Sequence, residues 1–291
     1  MPHIAFLSTD NLEAFFVYDE LLIPYFENKG WQVSTVSWHS KTANWNDYDY
    51  VIVRSTWDYQ QHAKAFLSCL KKIEQSTAIL LNGLALIKWN IEKHYLKDIE
   101  KHQVPIVDTL WHSSFDKTVI AEAFERFESD TVVIKPVLSA NADDTFKLNR
   151  TEWLAQAAHL ETVFKSRNFM IQPFLNSVVD EGEYSLFYFG GIYSHAIKKV
   201  PEKGDFRVQE EHGGSLYAID ADSEQREIAT QALAAMPESA LYARVDLVRQ
   251  RDKLAIMELE LIEPSLYFNL DAASPERFVD AMLAYHDSQQ Q

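Results

Sequence analysis

Short β-branched and apolar runs alternate with amphipathic segments along the first third of the chain: Ile4–Leu7, a helical stretch to Gly30, Gln32–Trp38, Tyr50–Arg54, a helix near Gln61–Gln75, and Ile79–Asn82. That alternation predicts a parallel sheet with crossover helices. Gly30 after Glu27-Asn28-Lys29 reads as a helix C-cap, and Asn82-Gly83 as a turn. Parallel sheets collect ligands at the carboxyl ends of their strands. Ser8, Thr9 and Asp10 then follow the first strand, and Arg54 to Tyr59 the third, on one rim.

From Trp89 onward the pattern changes. It predicts a helix Ile91–His102, a strand Ile106–Trp111, a helix Lys117–Glu128, a strand Thr131–Lys135 and a helix Thr151–Lys165. Strands follow at Phe169–Phe174, Tyr184–Phe189, Ile192–Lys199, Phe206–Gln209, Leu241–Val248 and Leu254–Ile262, mostly without helices between them, so antiparallel pairing is expected. Six of the eight glycines fall between Gly182 and Gly214, whereas all seven tryptophans lie at or before Trp153, which suggests two halves with different tasks.

The 291 residues are 47% hydrophobic and 24% charged, an ordinary globular balance, and carry a net charge of −16. An acidic excess without a basic stripe repels phosphate backbones and anionic lipid, so neither nucleic acid nor a membrane surface is an expected partner. The single Cys69 has no partner for a disulfide, and no Cys/His cluster has zinc-ligand spacing. With no basic leader at Met1–Leu7, and with Asn82-Gly83 interrupting the longest apolar run, a cytoplasmic protein is expected.

The candidate chemistry is acidic first. Glu258 and Glu260 alternate on one strand and share a face, and Asp246, on the preceding strand, joins them if the two strands pair antiparallel. Three carboxylates among apolar strands call for a cation, and oxygen-only ligation favours Mg²⁺ or Mn²⁺. A solvated acidic face is the alternative. Lys135, ending Val132-Val133-Ile134-Lys135, and Lys93, three residues after Asn90, are candidates for phosphate contact. Gln172-Pro173-Phe174 reads as a strand running into an extended hinge that presents main-chain groups to a planar base, or else as an edge strand leaving its sheet. Lys198, Lys199 and Arg207 bring cations to the same region, Arg207 foremost.

The order of these pieces resembles the ATP-grasp superfamily from about Asn90 to the C-terminus, in the branch of glutathione synthetases and ribosomal-protein glutamate ligases. Arg54-Ser55-Thr56-Trp57-Asp58-Tyr59, Gly204-Asp205-Phe206-Arg207-Val208-Gln209-Glu210-Glu211 and Glu258-Leu259-Glu260-Leu261-Ile262-Glu263-Pro264-Ser265 are most similar to the family of cycloserine-forming cyclo-ligases. The resemblance implies an N-terminal parallel-sheet α/β domain, residues 1–87, that precedes the grasp. A two-lobed α+β ATP-grasp domain follows over 88–291, with lobes of about 88–168 and 169–291. It implies ATP and Mg²⁺ (or Mn²⁺) as cofactors, Lys93 and Lys135 as phosphate contacts, Gln172, Pro173 and Phe174 as the adenine hinge, and Glu183 at the ribose. It also makes Asp246, Glu258 and Glu260 the metal ligands. The family's phosphate loop is glycine-rich, whereas Ser139-Ala140-Asn141-Ala142-Asp143-Asp144-Thr145 has no glycine, leaving Ser139 and Asn141 as donors.

The implied reaction is ATP-dependent carboxylate–amine ligation through an acyl phosphate, with Arg207 and Lys199 as catalytic cations. A small amino-acid-like substrate is expected at Arg54, Trp57, Asp58 and Tyr59, where a guanidinium suits a carboxylate and Asp58 an ammonium; the alternative is structural, with Trp57 and Tyr59 packed against the grasp domain and Arg54 paired to an acid. A nucleotide-binding regulator without turnover and a Mg²⁺-dependent small-molecule kinase are the alternatives. A homodimer stays open.

Overall fold

The computed structural model describes residues 1–13 and 15–290. Strands β1 (His3–Ser8), β2 (Gln32–Ser37), β3 (Tyr50–Ser55) and β4 (Ile79–Leu81) form an all-parallel sheet in the order β2-β1-β3-β4. β3 is buried along its whole length, as a central strand covered on both faces must be, while edge strand β2 keeps polar, partly exposed positions. Helix α1 (Ile23–Asn28) is shorter than the stretch read up to Gly30, because a 3₁₀ turn, Asp19–Leu22, precedes it. Helix α2 (Ala63–Glu74) buries Phe66, Leu70 and Ile73, one stripe at helical spacing.

Helices α3 (Leu84–Asn90) and α4 (Tyr95–Lys101) come next, so the boundary expected at 87/88 falls inside α3. Strands β5 (Leu110–His112), β6 (Thr131–Pro136), β7 (Phe146–Asn149) and β8 (Phe169–Pro173) form an antiparallel sheet in the order β5-β8-β6-β7. Helices α5 (Lys117–Phe127) and α6 (Ala157–Phe164) cover it, joining Ile120, Phe124, Ile134, Leu148, Phe164 and Ile171 in one core. Because β8 pairs with β5 and β6, the lobe boundary expected at 168/169 is corrected to beyond Pro173. The strand expected over Ile106–Trp111 serves two sheets: Ile106 bridges Ile256, and only from Leu110 does the chain join β8.

After α7 (Asn176–Asp180), the strands β9 (Glu183–Phe189), β10 (Ile192–Val200), β11 (Ser215–Ile219), β12 (Tyr242–Gln250) and β13 (Lys253–Glu260) form an antiparallel sheet in the order β11-β10-β9-β12-β13. Helix α8 (Ser223–Ala234), opened by an Asp222/Gln225 capping box, covers one face, and α9 (Ser274–Gln289) the other. Phe206–Gln209, expected as a strand, is loop instead, because the Asp205 carboxylate accepts from the Phe206 and Arg207 amides and curls the chain.

The first sheet is joined to the largest one. Ile4, Phe6 and Phe26 share a core with Phe187, Phe189 and Phe278. The buried Asn82 side chain donates to Tyr242 O (3.0 Å) and Leu261 O (2.7 Å) and accepts from the Leu241 amide (2.7 Å). The Tyr242 hydroxyl shares its proton between Val53 O (2.6 Å) and Ile262 O (2.9 Å). Among the described residues no helix is long and apolar enough to cross a membrane.

Candidate active site

The antiparallel register of β12 and β13 sets Arg244 opposite Glu260 and Asp246 opposite Glu258, with Val245 and Leu259 turned into the core beneath. At Met257 the register slips by one residue, a bulge that turns both Met257 and Glu258 toward a cleft between the sheets. The cleft has a volume of about 220 Å³, and five basic and five acidic side chains line it.

Each central carboxylate is paired. Lys93 Nζ donates to Glu258 (2.9 Å) and to Ser139 O (2.9 Å), so the helix-flanking lysine also ties down the start of the 139–145 loop. Arg244 forks onto Asp246 (3.0 and 2.9 Å) and reaches Glu260. Lys199 Nζ donates to Glu183 (2.5 Å) and lies 3.5 Å from Asp246, which also accepts from the Ser185 hydroxyl (2.5 Å). Burial works against the Lys199 charge, yet Asp246 and Glu183 outweigh it and hold its pKa above the ordinary lysine range. Burial likewise opposes ionisation of Glu258, and Lys93 and Lys135 overcome it and keep its pKa below the usual carboxylate value. Lys135 makes no such pair. Its ammonium sits 3.7 Å from Met257 Sδ, and burial, with Lys93 nearby, lowers its pKa to about 8.

Two carboxyls have the opposite bias. Burial, then the Glu258 and Asp246 charges, raise Glu260 to about 7 against the pull of Arg244. Burial, then Glu260 and Glu258, raise Glu263 to about 8. The oxygen donors that Glu258 and Glu260 turn toward the cleft fit a hard divalent ion held together with substrate phosphates. Asp246, the third expected ligand, is buried beneath the cleft, where it accepts from Arg244 and Ser185 and lies 3.5 Å from Lys199 Nζ.

Lys93, Lys135, Ser139, Gln172, Pro173, Phe174, Glu183, Lys199, Arg207, Glu258, Glu260, Trp57 and Tyr59 all line the cleft. The hinge is less open than expected, because the Phe174 amide donates to Thr131 O (3.0 Å) and Gln172 Nε2 to Thr109 (3.0 Å). Glu183, expected at a ribose, is engaged by Lys199. Arg207 rides on the 201–214 loop, half-exposed and paired with Asp205 (2.7 Å). The same loop reaches Tyr18, whose hydroxyl donates to Glu210 (3.0 Å), and sets the His212 ring 3.3 Å from Asn141 O. The glycine-free loop attains left-handed backbone without glycine, at Asn141, Ala142 and Asp144, and Arg167 clamps it through Asp144 (2.5 Å) and Leu138 O (3.1 Å).

Two expected substrate ligands are corrected. Arg54 is 1% exposed and donates from Nε and Nη2 to Asp19 (2.9 and 2.8 Å) and from Nη2 to Pro264 O (3.1 Å), above the Tyr242 ring. Asp58 accepts from Thr9 (2.5 Å) and Trp38 (2.7 Å) and lies 2.6 Å from the His39 ring, away from the cleft. Arg244 and Glu263 were missed. Arg244 stands two residues before Asp246, so the same-face argument that paired Glu258 with Glu260 would have found it. Glu263 lies past the end of β13, where alternation carries no signal.

A family model described as prokaryotic glutathione synthetase, ATP-grasp domain, matches residues 103–267, more than half of the chain. The chain belongs to this ATP-grasp family. A second model, described as the N-terminal domain of D-cycloserine synthetase DcsG, matches residues 4–82 of this grasp ligase. The cycloserine biosynthesis protein DcsG of Streptomyces lavendulae is 29% identical over 265 residues, 84% of this chain and 86% of that protein. The crystal structure of D-cycloserine synthetase DcsG superposes with a TM-score of 0.86 at 26% identity, covering 96% of this chain and 98% of that one. A D-alanine–D-alanine ligase from Bacillus anthracis shares the fold, with a TM-score of 0.68 at 12% identity over 97% and 95% of the two chains. The protein is thus an ATP-dependent ligase of the carbon–nitrogen bond-forming kind.

Proposed function

We propose that this ligase activates the carboxylate of a small amino-acid-like substrate as an acyl phosphate and transfers the acyl group to an amine. The observation that carries the reading is the convergence of Lys93, Lys135, Lys199 and Arg244 on a cleft faced by Glu258 and Glu260, in a chain of net charge −16. The DcsG likeness and the amino-acid ligase among the fold neighbours support the substrate class.

A substrate carboxylate oxygen attacks the γ-phosphorus of ATP and the bond to ADP breaks. The amine then attacks the acyl carbon, phosphate leaves, and the amine gives up a proton. Phosphoryl transfer needs positioning and charge stabilisation more than covalent help. Lys93 and Lys135 meet the phosphate charge. Arg244, Lys199 and Arg207 are the cations available to the tetrahedral oxyanion. A magnesium ion held by Glu258 and Glu260 would neutralise phosphate charge. The 201–214 loop, leaning on Tyr18 and Asn141, keeps water from the acyl phosphate.

Amino acids of both enantiomeric series, supplied with ATP and Mg²⁺, should include at least one that stimulates ADP release. When that compound carries ¹⁸O in its carboxylate, one label should appear in the released phosphate. A phosphorylated product without inorganic phosphate would establish the kinase instead, and ATP binding without turnover the regulator.

A further inference from the structure

Of the acidic side chains that line the cleft, Glu183, Glu258 and Glu260 each have a basic partner in Lys199, Lys93 and Arg244, and Glu211 is exposed. Glu263 alone is partly buried with no basic group in ion-pair contact among the described residues. A carboxylate withdrawn from water without a cation is unfavourable unless a ligand completes it.

Its surroundings specify the ligand's charge. Tyr59 lines the cleft beside the Glu263 carboxylate, where burial and then that charge raise the pKa of its hydroxyl. Trp57 lines the same wall, with its ring 5.0 Å from that of Phe15. A carboxylate beside aromatic rings attracts a cation through both charge and ring quadrupole. Elsewhere on the lining, Gln209 Oε1 is a buried acceptor without a donor. The backbone under Glu263 is held from two sides. Trp57 Nε1 donates to its carbonyl (2.9 Å), and Arg54 Nη2 donates to the next carbonyl, that of Pro264 (3.1 Å). An acidic side chain on so constrained a loop is aimed, not adrift.

We infer that Glu263, with the Tyr59 hydroxyl and the Trp57–Phe15 wall, forms the subsite that binds the ammonium group of the substrate. This rests on the amino-acid-like substrate proposed above, and it moves ammonium recognition from Asp58 to Glu263. The carboxylate supplies charge and acceptors, the rings exclude water, and Gln209 supplies an acceptor on the lining.

The test compares the parent with Glu263→Gln and Glu263→Asp, using amino acids of both series and their N-acetyl derivatives, with ADP release as readout. Free amino acids should stimulate the parent and their N-acetyl forms should not. Glu263→Gln should raise the half-saturating amino-acid concentration at least tenfold and leave that of ATP within twofold, which also reports that the variant folds. Glu263→Asp, which keeps the charge one methylene further back, should lie between and serves if Gln is not tolerated. Equal half-saturation in parent and variants, or stimulation by N-acetyl forms, overturns the ammonium subsite alone. ATP binding with no amino acid stimulating the parent overturns the ligation reading and the subsite with it.

Discussion

Replacing Arg54 with alanine separates a strut from a ligand. The guanidinium is almost wholly enclosed, makes two contacts to Asp19 and one to Pro264 O, and sits 5.0 Å above the Tyr242 ring. Asp19 would keep only the Ser55 hydroxyl (2.5 Å) and be left as an unmatched charge beside apolar residues. Removing one partner of a buried pair costs about 3–5 kcal/mol. For a chain of this length that is a fall in Tm of roughly 5–8 °C. Urea unfolding of Arg54→Ala, Asp19→Leu and the double variant Arg54→Met/Asp19→Leu measures it, and the double variant should recover most of the loss because no lone charge remains. An Arg54→Ala protein with parental stability and only a raised substrate KM would refute the reasoning and return the guanidinium to the substrate.

Lys135→Ala should raise the half-saturating ATP concentration about 10–100-fold, the loss of a charge-assisted contact, and in the parent that concentration should climb as pH rises past about 8, where Lys135 loses its proton. Ala142→Gly should stabilise the protein by about 0.5–1 kcal/mol, since φ is +59° there, as read by thermal unfolding at constant ATP affinity. Gly214→Ala would set a Cβ 2.1 Å from Val208 O, so kcat/KM should fall on the order of 100-fold while Tm changes little. Glu260 and Glu263 bind protons more tightly folded than unfolded, so their contribution to stability is complete below about pH 4.5 and is lost as pH rises through about 7 and 8. Unfolding monitored between pH 5 and 9 checks this, and Glu263→Gln should flatten the upper part of the fall.

Where strands were regular, both the fold and the cleft could be read from residue pattern. Glu258 and Glu260 share a face by period two beyond the bulge at Met257, and they meet Lys135, at the end of its strand, on one cleft. The rim after β3 was located correctly, but β3 is buried on both faces, so alternation could not say which way Arg54 points. The carboxylate it meets, Asp19, comes from a 3₁₀ turn that carries no long-range signal. α8 escaped because its buried stripe is built largely from alanines, Ala229 and Ala232, which barely register as hydrophobic periodicity. The 206–209 segment looks extended by composition, yet one aspartate side chain accepting two successive amides decides its course.

The Asn82 and Tyr242 ties between the first sheet and β12 bear on how such enzymes can be recombined. Asn82 bonds main-chain groups of the other unit, and Tyr242 bonds the main chain of both, at Val53 and Ile262, so they read backbone position and are indifferent to which residues occupy it. A chimaera that exchanges the first eighty or so residues with those of a relative would therefore keep this joint wherever both parents retain asparagine and tyrosine. Arg54, in contrast, holds Asp19 within its own unit and Pro264 O in the other, so its pair travels as one cassette while its outer contact is re-made with any acceptor loop of the same course. Inheritance of new specificity by exchange of the front module thus calls for matching loop 263–265 together with the apolar core that Ile4, Phe6 and Phe26 share with Phe187, Phe189 and Phe278.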